Sequence, residues 1–278
     1  MTGAGVNPRL CHPGAPVLPR VSAVPAGLRA VDIALDGLVP LDSAICAAFA
    51  GASGFVTITD LGCTALDYVI PAQSTRPDRL AWYSDPQGQG GRAVIRAAYA
   101  SVGRQGAGAG LHCHGSWDTA AGARFGHLLG PRTMPEPGQV LRGWVFDGAD
   151  FDRRADPETG FDLFAAIGAG VASPDAVALT LRPDEDVAET CMGLCDRLGW
   201  AQARLEGLGS LNGAGFAGGA VMRDHASEFV VRAGTVGPTR ADIDIAVIDS
   251  AGAEYAGALV PGQGRVSITA ELVLIRAG

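Results

Sequence analysis

The chain has 278 residues, of which 47% are apolar and 18% charged, so we expect a folded protein with a real hydrophobic core. Its formal net charge is −8 and it contains no Lys- or Arg-rich run, which argues against binding to a nucleic-acid backbone. No apolar stretch is long enough to span a membrane, and the N-terminus lacks a signal-peptide pattern. We therefore expect a cytoplasmic protein without membrane contact, and the 40 glycines predict many turns in a β-rich fold.

The N-terminal segment is predicted to be an extended arm. Residues 1–28 contain several prolines and precede the first periodic segment. His12 and Arg20 lie within this arm, and an imidazole and a guanidinium that close over a pocket could bind an anion or a substrate.

Two segments then show helical periodicity, one in each half of the chain. Leu41 and Ile45 begin an apolar stripe directly after Pro40, a favourable residue for a first helical turn. In the second half Val187 begins a similar stripe, with Asp184 as its predicted N-cap. Strand-like segments follow each helix in the same order.

This repeated order predicts a tandem pair of related domains, at residues 29–154 and 165–278. The predicted fold class is α+β, with each domain a mostly antiparallel sheet packed against one helix. The first half carries about 16 additional residues, which we place near residues 72–92 as a loop with one short strand in the LAWYS segment.

Three histidines that are close in sequence form the candidate functional site of the first half. His112 and His114 alternate along a strand-like segment and therefore point to one face of a sheet. If the following turn centres on residues 120 and 121, His127 lies directly opposite His114 on the returning strand. A register shift of one residue would turn His127 to the other face.

Three neutral imidazoles on one face form a set of ligands for a divalent metal. Zn²⁺ is the favoured ion, with a fourth position left for water or substrate, and Ni²⁺, Fe²⁺ and Mn²⁺ are alternatives. The alternative without a metal is a histidine-lined pocket or interface. Asp118 and Glu136 flank the hairpin and could orient a ligand imidazole.

The second half lacks this set of ligands. Asp242 and Asp244 occupy the positions of the first two histidines, and Ala258 occupies the position of the third. We therefore expect the second domain to have a degenerate site and to serve the architecture or one wall of the pocket.

These motifs resemble the plant- and prokaryote-conserved (PPC or PCC) domain. The shared features are a His-x-His strand, a glycine turn and a Gly-His-Leu return, with further short motifs in the second half: residues 112–114, 122, 126–128, 182–186, 209–211, 234–237 and 271–274. The resemblance implies an α+β fold, trimeric assembly and, for prokaryotic members, metal binding through the three histidine positions. Plant members carry DNA-binding AT-hooks, and this sequence contains none.

Three functions follow as hypotheses. The first is a metal-dependent enzyme that acts on a small polar or anionic metabolite. The second is a non-catalytic oligomer, a dimer or trimer, in which the metal stabilises a ligand-binding or regulatory site. The third is DNA binding through family association, which the net charge of −8 places last. A solvent-reachable metal beside arginines and aromatic rings favours the first hypothesis, and a fourth protein ligand favours the second.

Overall fold

Strands dominate the computed structural model, which describes residues 5–277. The strands of the first half are β1 (Val21–Leu35), β2 (Gly54–Val69), β3 (Pro71–Gln73), β4 (Ala81–Tyr83), β5 (Gln87–Gln105), β6 (Gly108–Thr119), β7 (Gly122–Leu128), β8 (Met134–Pro135), β9 (Gln139–Asp147), β10 (Asp150–Ala155) and β11 (Asp162–Ile167). Those of the second half are β12 (Ala176–Leu181), β13 (Ala203–Leu211), β14 (Ala214–Gly215), β15 (Val221–Met222), β16 (Ser227–Val236), β17 (Ala241–Asp249), β18 (Glu254–Ala258) and β19 (Val266–Arg276). The two α-helices are α1 (Leu41–Phe49) and α2 (Val187–Leu198), and a 3-10 turn covers Gly130–Arg132.

The predicted α+β class is wrong, because the protein is mostly β. Strands hold 57% of the chain and helices 9%. The helices have only 9 and 12 residues, whereas β2 and β5 have 16 and 19. Helical periodicity located both helices but did not show how long the neighbouring strands are. One mixed sheet of 15 strands therefore replaces the predicted pair of separate sheets.

Strand β1 joins the two halves of the chain. Its first part pairs with β12, from Val21 opposite Leu181, and its second part pairs with β9, up to Leu35 opposite Gln139. The sheet continues from β12 through β19, β13, β16 and β17 to β18. The division into residues 29–154 and 165–278 stays a proposal, and it cuts across this shared strand.

The helix predictions are confirmed, with one correction at a helix start. Helix α1 follows Pro40 and buries Leu41 and Ile45, as its apolar stripe predicted. Helix α2 is capped by Asp186 instead of Asp184, because the Asp186 carboxylate accepts a hydrogen bond from the backbone N–H of Glu189 at 3.0 Å. Asp184 has a positive φ of 68° and lies before the cap.

The N-terminal segment packs against the second half of the chain. Asn212 donates a side-chain hydrogen bond to the carbonyl of Pro8 at 2.8 Å, and the backbone N–H of Leu10 donates to Asp184 at 3.3 Å. Strand β1 begins at Val21, inside the segment predicted as an arm. The first four residues of that segment lie outside the described range.

A core shared by both halves lies where the site is built. The first-half strands contribute aromatic side chains to it and the second-half strands contribute aliphatic ones: Phe55, Tyr99, Phe125, Phe146 and Phe151, with Leu208, Val230, Ile248 and Val273. Strand β6 lies beside this core and contacts β19 and β16 through His112 and His114. Within residues 5–277, neither helix has the length and apolar character needed to cross a membrane.

Candidate metal centre

The β6–β7 hairpin has the register that the sequence predicted. The pairing runs from Thr119 opposite Gly122 to His114 opposite His127, which confirms the predicted turn. Gly126 fits beside β2 because it has no side chain: a Cβ there would lie 2.5 Å from the backbone oxygen of Val69. The Gly-His sequence therefore allows the strand carrying His127 to pass close to β2.

The three imidazoles meet at one point. The ring centroids of His112, His114 and His127 are 4.6, 5.0 and 5.2 Å apart in their three pairs. One nitrogen from each ring can be chosen so that all three lie within 4.8 Å of one another. The closest pair, Nε2 of His112 and Nε2 of His114, is separated by 3.0 Å. Two nitrogens bound to one tetrahedral ion are about 3.3 Å apart, so this spacing suits a metal.

Residues of the second half of the chain contact two of these rings at the nitrogen that faces away from the cluster. Nδ1 of His112 lies 2.8 Å from Oε1 of Glu271 in β19. Nδ1 of His114 lies 3.0 Å from the backbone oxygen of Phe229 in β16. A carboxylate and a carbonyl behind metal-facing imidazoles are the usual partners that fix ring orientation and tautomer.

These partners decide which nitrogens carry lone pairs. A carbonyl only accepts hydrogen bonds, so His114 carries its proton on Nδ1 and presents a lone pair at Nε2. When His112 donates its Nδ1–H to the Glu271 carboxylate, its Nε2 also presents a lone pair, 3.0 Å away. Two facing lone pairs repel each other unless a cation lies between them. The donor set therefore fits a bound metal ion.

Burial keeps all three imidazoles neutral. It lowers the pKa of His114 to about 3 and that of His127 to about 4, and it places the pKa of His112 well below its ordinary value. A neutral imidazole is the form that binds a metal. Burial also raises the pKa of Glu228 and of Glu271 to about 7, because ionised carboxylates lose their hydration there.

Glu228 is a second carboxylate beside the cluster. Its Oε1 lies 3.5 Å from Nδ1 of His127 and 3.7 Å from Nε2 of His114, beyond a normal hydrogen bond. Its Oε2 is buried without a hydrogen-bond partner among the described residues. A buried carboxylate in this state is suited to a cation or to a proton donor in the cavity.

A cavity of about 390 Å³ opens beside the imidazoles. Its walls include Arg79, Arg153, Trp82 and Phe161. Tyr83, from the short strand predicted in the inserted segment, packs edge-on to the His127 ring at 5.1 Å. The cluster thus lies against a cavity of the size that small organic ligands occupy.

The arm residues predicted to bind an anion lie elsewhere. Arg20 forms an ion pair with Glu158 at 2.6 Å and also donates to the carbonyl of Pro183. His12 is buried, and its Nε2 lies 2.9 Å from the backbone oxygen of Ser267. Neither side chain lines the cavity, and the carboxylate of Glu158 already balances the Arg20 charge.

The two carboxylates predicted behind the imidazoles also lie apart from them. Asp118 pairs with Arg96 at 2.7 Å, and Glu136 pairs with Arg92, on the exposed side of the sheet. Asp118 alternates with the histidines along β6, but it lies four residues beyond His114 toward the turn, roughly 13 Å along the strand.

Sequence reasoning missed the residues that approach the cluster from other strands. These are Arg153, Glu228 and Glu271, and each lies more than 25 positions from the nearest histidine of the cluster. Glu228 and Glu271 stand in mostly apolar, buried stretches of their strands, which is a signal for a buried carboxylate with a function. His225 also lines the cavity.

The corresponding hairpin of the second half has a different role. Asp244 lies opposite Ala258, as His114 lies opposite His127. Asp244 forms an ion pair with Arg232 at 2.7 Å on the exposed side of the sheet. This arrangement offers one carboxylate, already paired, where the first half offers imidazoles.

No protein-family model and no curated protein matches the chain. Among solved structures, a metal-containing protein from Archaeoglobus fulgidus is 14% identical, with a TM-score of 0.38 over 51% of this chain and 96% of that chain. A hypothetical protein from Salmonella enterica is 24% identical, with a TM-score of 0.30 over 36% of this chain and 76% of that one. A plant- and prokaryote-conserved (PPC) protein from Pyrococcus horikoshii is 13% identical, with a TM-score of 0.35 over 52% of this chain and 95% of that chain. One of these structures is thus a PPC protein, the family that the motifs of this chain resemble.

Proposed function

We propose that the chain binds a divalent metal ion through His112, His114 and His127 and acts on a small polar or anionic molecule in the adjacent cavity. The observation that carries this proposal is the pair of Nε2 atoms of His112 and His114, 3.0 Å apart. When Glu271 is ionised, the partners behind the rings leave the lone pairs of both Nε2 atoms facing each other. A cation is the simplest species that satisfies them.

Zn²⁺ is the ion we propose. Three imidazole nitrogens with one remaining position are a common catalytic zinc arrangement. Ni²⁺, Fe²⁺ and Mn²⁺ also bind imidazole sets, so the ion present in cells depends on supply as well as affinity.

The reaction class that this arrangement favours is Lewis-acid catalysis or hydrolysis. When bound, such an ion polarises a carbonyl oxygen or lowers the pKa of water toward about 7. An ionised Glu271 would hold the His112 ring in the metal-binding tautomer, as the Phe229 carbonyl does for His114. The aromatic rings of Tyr83 and Phe161 line the cavity beside that point.

A non-catalytic site is the second candidate, and Glu228 is the observation that favours it. Its Oε1 lies within 3.7 Å of two imidazole nitrogens, so a modest movement would let it complete a four-ligand structural site. In that case the ion would stabilise a ligand-binding or regulatory protein, as a monomer or in a homo-oligomer. The Arg- and aromatic-lined cavity favours the first candidate.

Elemental analysis tests the metal site directly. Purified wild-type protein, dialysed against metal-free buffer after loading with Zn²⁺, should retain about one ion per chain. His112→Ala should lose it, and His225→Ala should keep it, because His225 lines the cavity but its Nε2 lies 3.3 Å from the Leu80 carbonyl. Equal metal content in His112→Ala and wild type would refute the ligand assignment.

Substitution of Glu228 separates the two candidates. In Co²⁺-loaded protein the visible absorption reports the number and kind of ligands. If the site is open, Glu228→Gln should leave the spectrum of the resting protein unchanged. A shift toward a different coordination number would make Glu228 a ligand and favour the closed, structural site.

A further inference from the structure

Arg153 is a cationic side chain that shares the cavity with the three histidines. It lies in β10 and is half-buried. Burial and, second to it, the positive charge of Arg153 lower the pKa of His127 to about 4. The guanidinium is therefore within electrostatic reach of the imidazoles.

The guanidinium has no anionic partner in the described part of the chain. Its Nε donates to the backbone oxygen of Asp162 at 3.3 Å, and no described carboxylate forms an ion pair with it. The neighbouring charges are already balanced, since Asp152 pairs with Arg154, and Arg79 with Asp78. Both terminal NH₂ groups of Arg153 remain without a partner among residues 5–277, and a guanidinium stays charged at any physiological pH.

The charges around the cavity indicate the charge of the ligand that it binds. This inference rests on the proposed metal ion. A divalent ion bound by the three imidazoles would bring two positive charges to the cavity that Arg153 lines. The Arg153 guanidinium adds a further positive charge that no ion pair among the described residues balances. An anionic group that reaches both the guanidinium and the ion is therefore the favoured ligand.

The walls of the cavity limit the rest of the ligand. Trp82 packs against Phe161 at a centroid distance of 5.3 Å, and Phe164 lies under the Arg153 guanidinium at 5.9 Å. These rings offer apolar surface next to a planar donor group. The fork of a guanidinium matches the two oxygens of a carboxylate.

We propose that Arg153 binds the carboxylate of a small monocarboxylic acid whose adjacent carbonyl or hydroxyl oxygen faces the His112–His114–His127 site. The ligand class is thus a 2-oxo or 2-hydroxy acid with a short apolar remainder. Arg153 sets specificity for the anion, and the imidazole cluster sets the position of the second oxygen.

A titration with pyruvate tests this assignment. Co²⁺-loaded wild type, Arg153→Met, Arg153→Lys and Arg154→Met would each be titrated with pyruvate and with its neutral analogue pyruvamide. The readouts are the visible Co²⁺ absorption and the heat of binding. Arg154→Met is the matched control, because Arg154 is exposed and adjacent and pairs with Asp152.

We expect pyruvate to perturb the spectrum of wild type and of Arg154→Met with equal affinity. Arg153→Met should weaken binding roughly 10- to 100-fold, as the loss of a charged hydrogen bond implies, and Arg153→Lys should lie between. Pyruvamide should bind weakly to every variant.

The outcomes separate this proposal from the metal assignment. If wild type takes up Co²⁺ but pyruvate binds equally well to Arg153→Met, or does not bind at all, the carboxylate site is overturned and the metal site stands. If wild type takes up no Co²⁺, the metal site fails, and the carboxylate proposal fails with it.

Discussion

Replacing Glu271 with Gln should weaken metal binding without unfolding the protein. The side chain is 1% exposed, and its Oε1 lies 2.8 Å from Nδ1 of His112. A hydrogen bond to a charged group contributes about 1.5–3 kcal/mol, and a neutral one about 0.5–1.5 kcal/mol. Gln keeps the shape and a neutral acceptor, so the loss is about 1–1.5 kcal/mol, or roughly 10-fold in Zn²⁺ affinity. Glu271→Ala also removes the acceptor, and we expect a loss closer to 100-fold.

Competition with a chelating dye of known affinity would measure this change. Glu206→Gln is the matched control, because Glu206 is a largely buried carboxylate that pairs with Arg204 and does not line the cavity. Thermal unfolding of the metal-free proteins would show that each variant folds. Wild-type affinity in Glu271→Gln and Glu271→Ala would refute the argument that this carboxylate fixes the His112 tautomer.

Three further predictions concern the scaffold. Gly126→Ala would place a Cβ 2.5 Å from the Val69 carbonyl, so we expect a lower melting temperature and reduced metal content, and an unchanged protein by both measures would contradict this. Burial raises the pKa of Asp156, but hydrogen bonds from Arg182 and Thr159 outweigh it and leave that pKa below its ordinary value. The stabilisation from this carboxylate is therefore present above about pH 4 and lost as pH falls through the folded pKa. Asp156→Asn should lower the free energy of unfolding by about 1–3 kcal/mol at pH 7 and flatten the acid limb of denaturation, so parallel curves would argue against it. Ile45→Ala, in the fully buried stripe of α1, should cost about 2–5 kcal/mol in urea unfolding, and a cost below 1 kcal/mol would contradict the packing.

The sequence was most informative where contacts are local. The turn at residues 120 and 121 fixes the register of the hairpin, so His114 and His127 could be placed opposite each other without a structure. The stripe that begins at Leu41 gave α1 for the same reason, since helical periodicity depends only on near neighbours.

Longer-range contacts escaped the sequence. Glu271 lies 159 positions from His112, and no pattern within either strand shows that the two meet. The shared sheet could not be predicted for the same reason, because β1 pairs with β12 and β9 through long-range contacts that periodicity within a segment does not show. Asp118 was predicted beside the imidazoles because it flanks the hairpin, but it forms an exposed ion pair with Arg96.

X-ray absorption at the metal edge of the loaded protein tests the central claim most directly. We expect nitrogen or oxygen neighbours at about 2.0–2.1 Å, with the outer-shell scattering of three imidazoles, and the loss of one imidazole in His127→Ala. Sulfur neighbours at about 2.3 Å, or a spectrum that His127→Ala leaves unchanged, would show that the ion binds elsewhere.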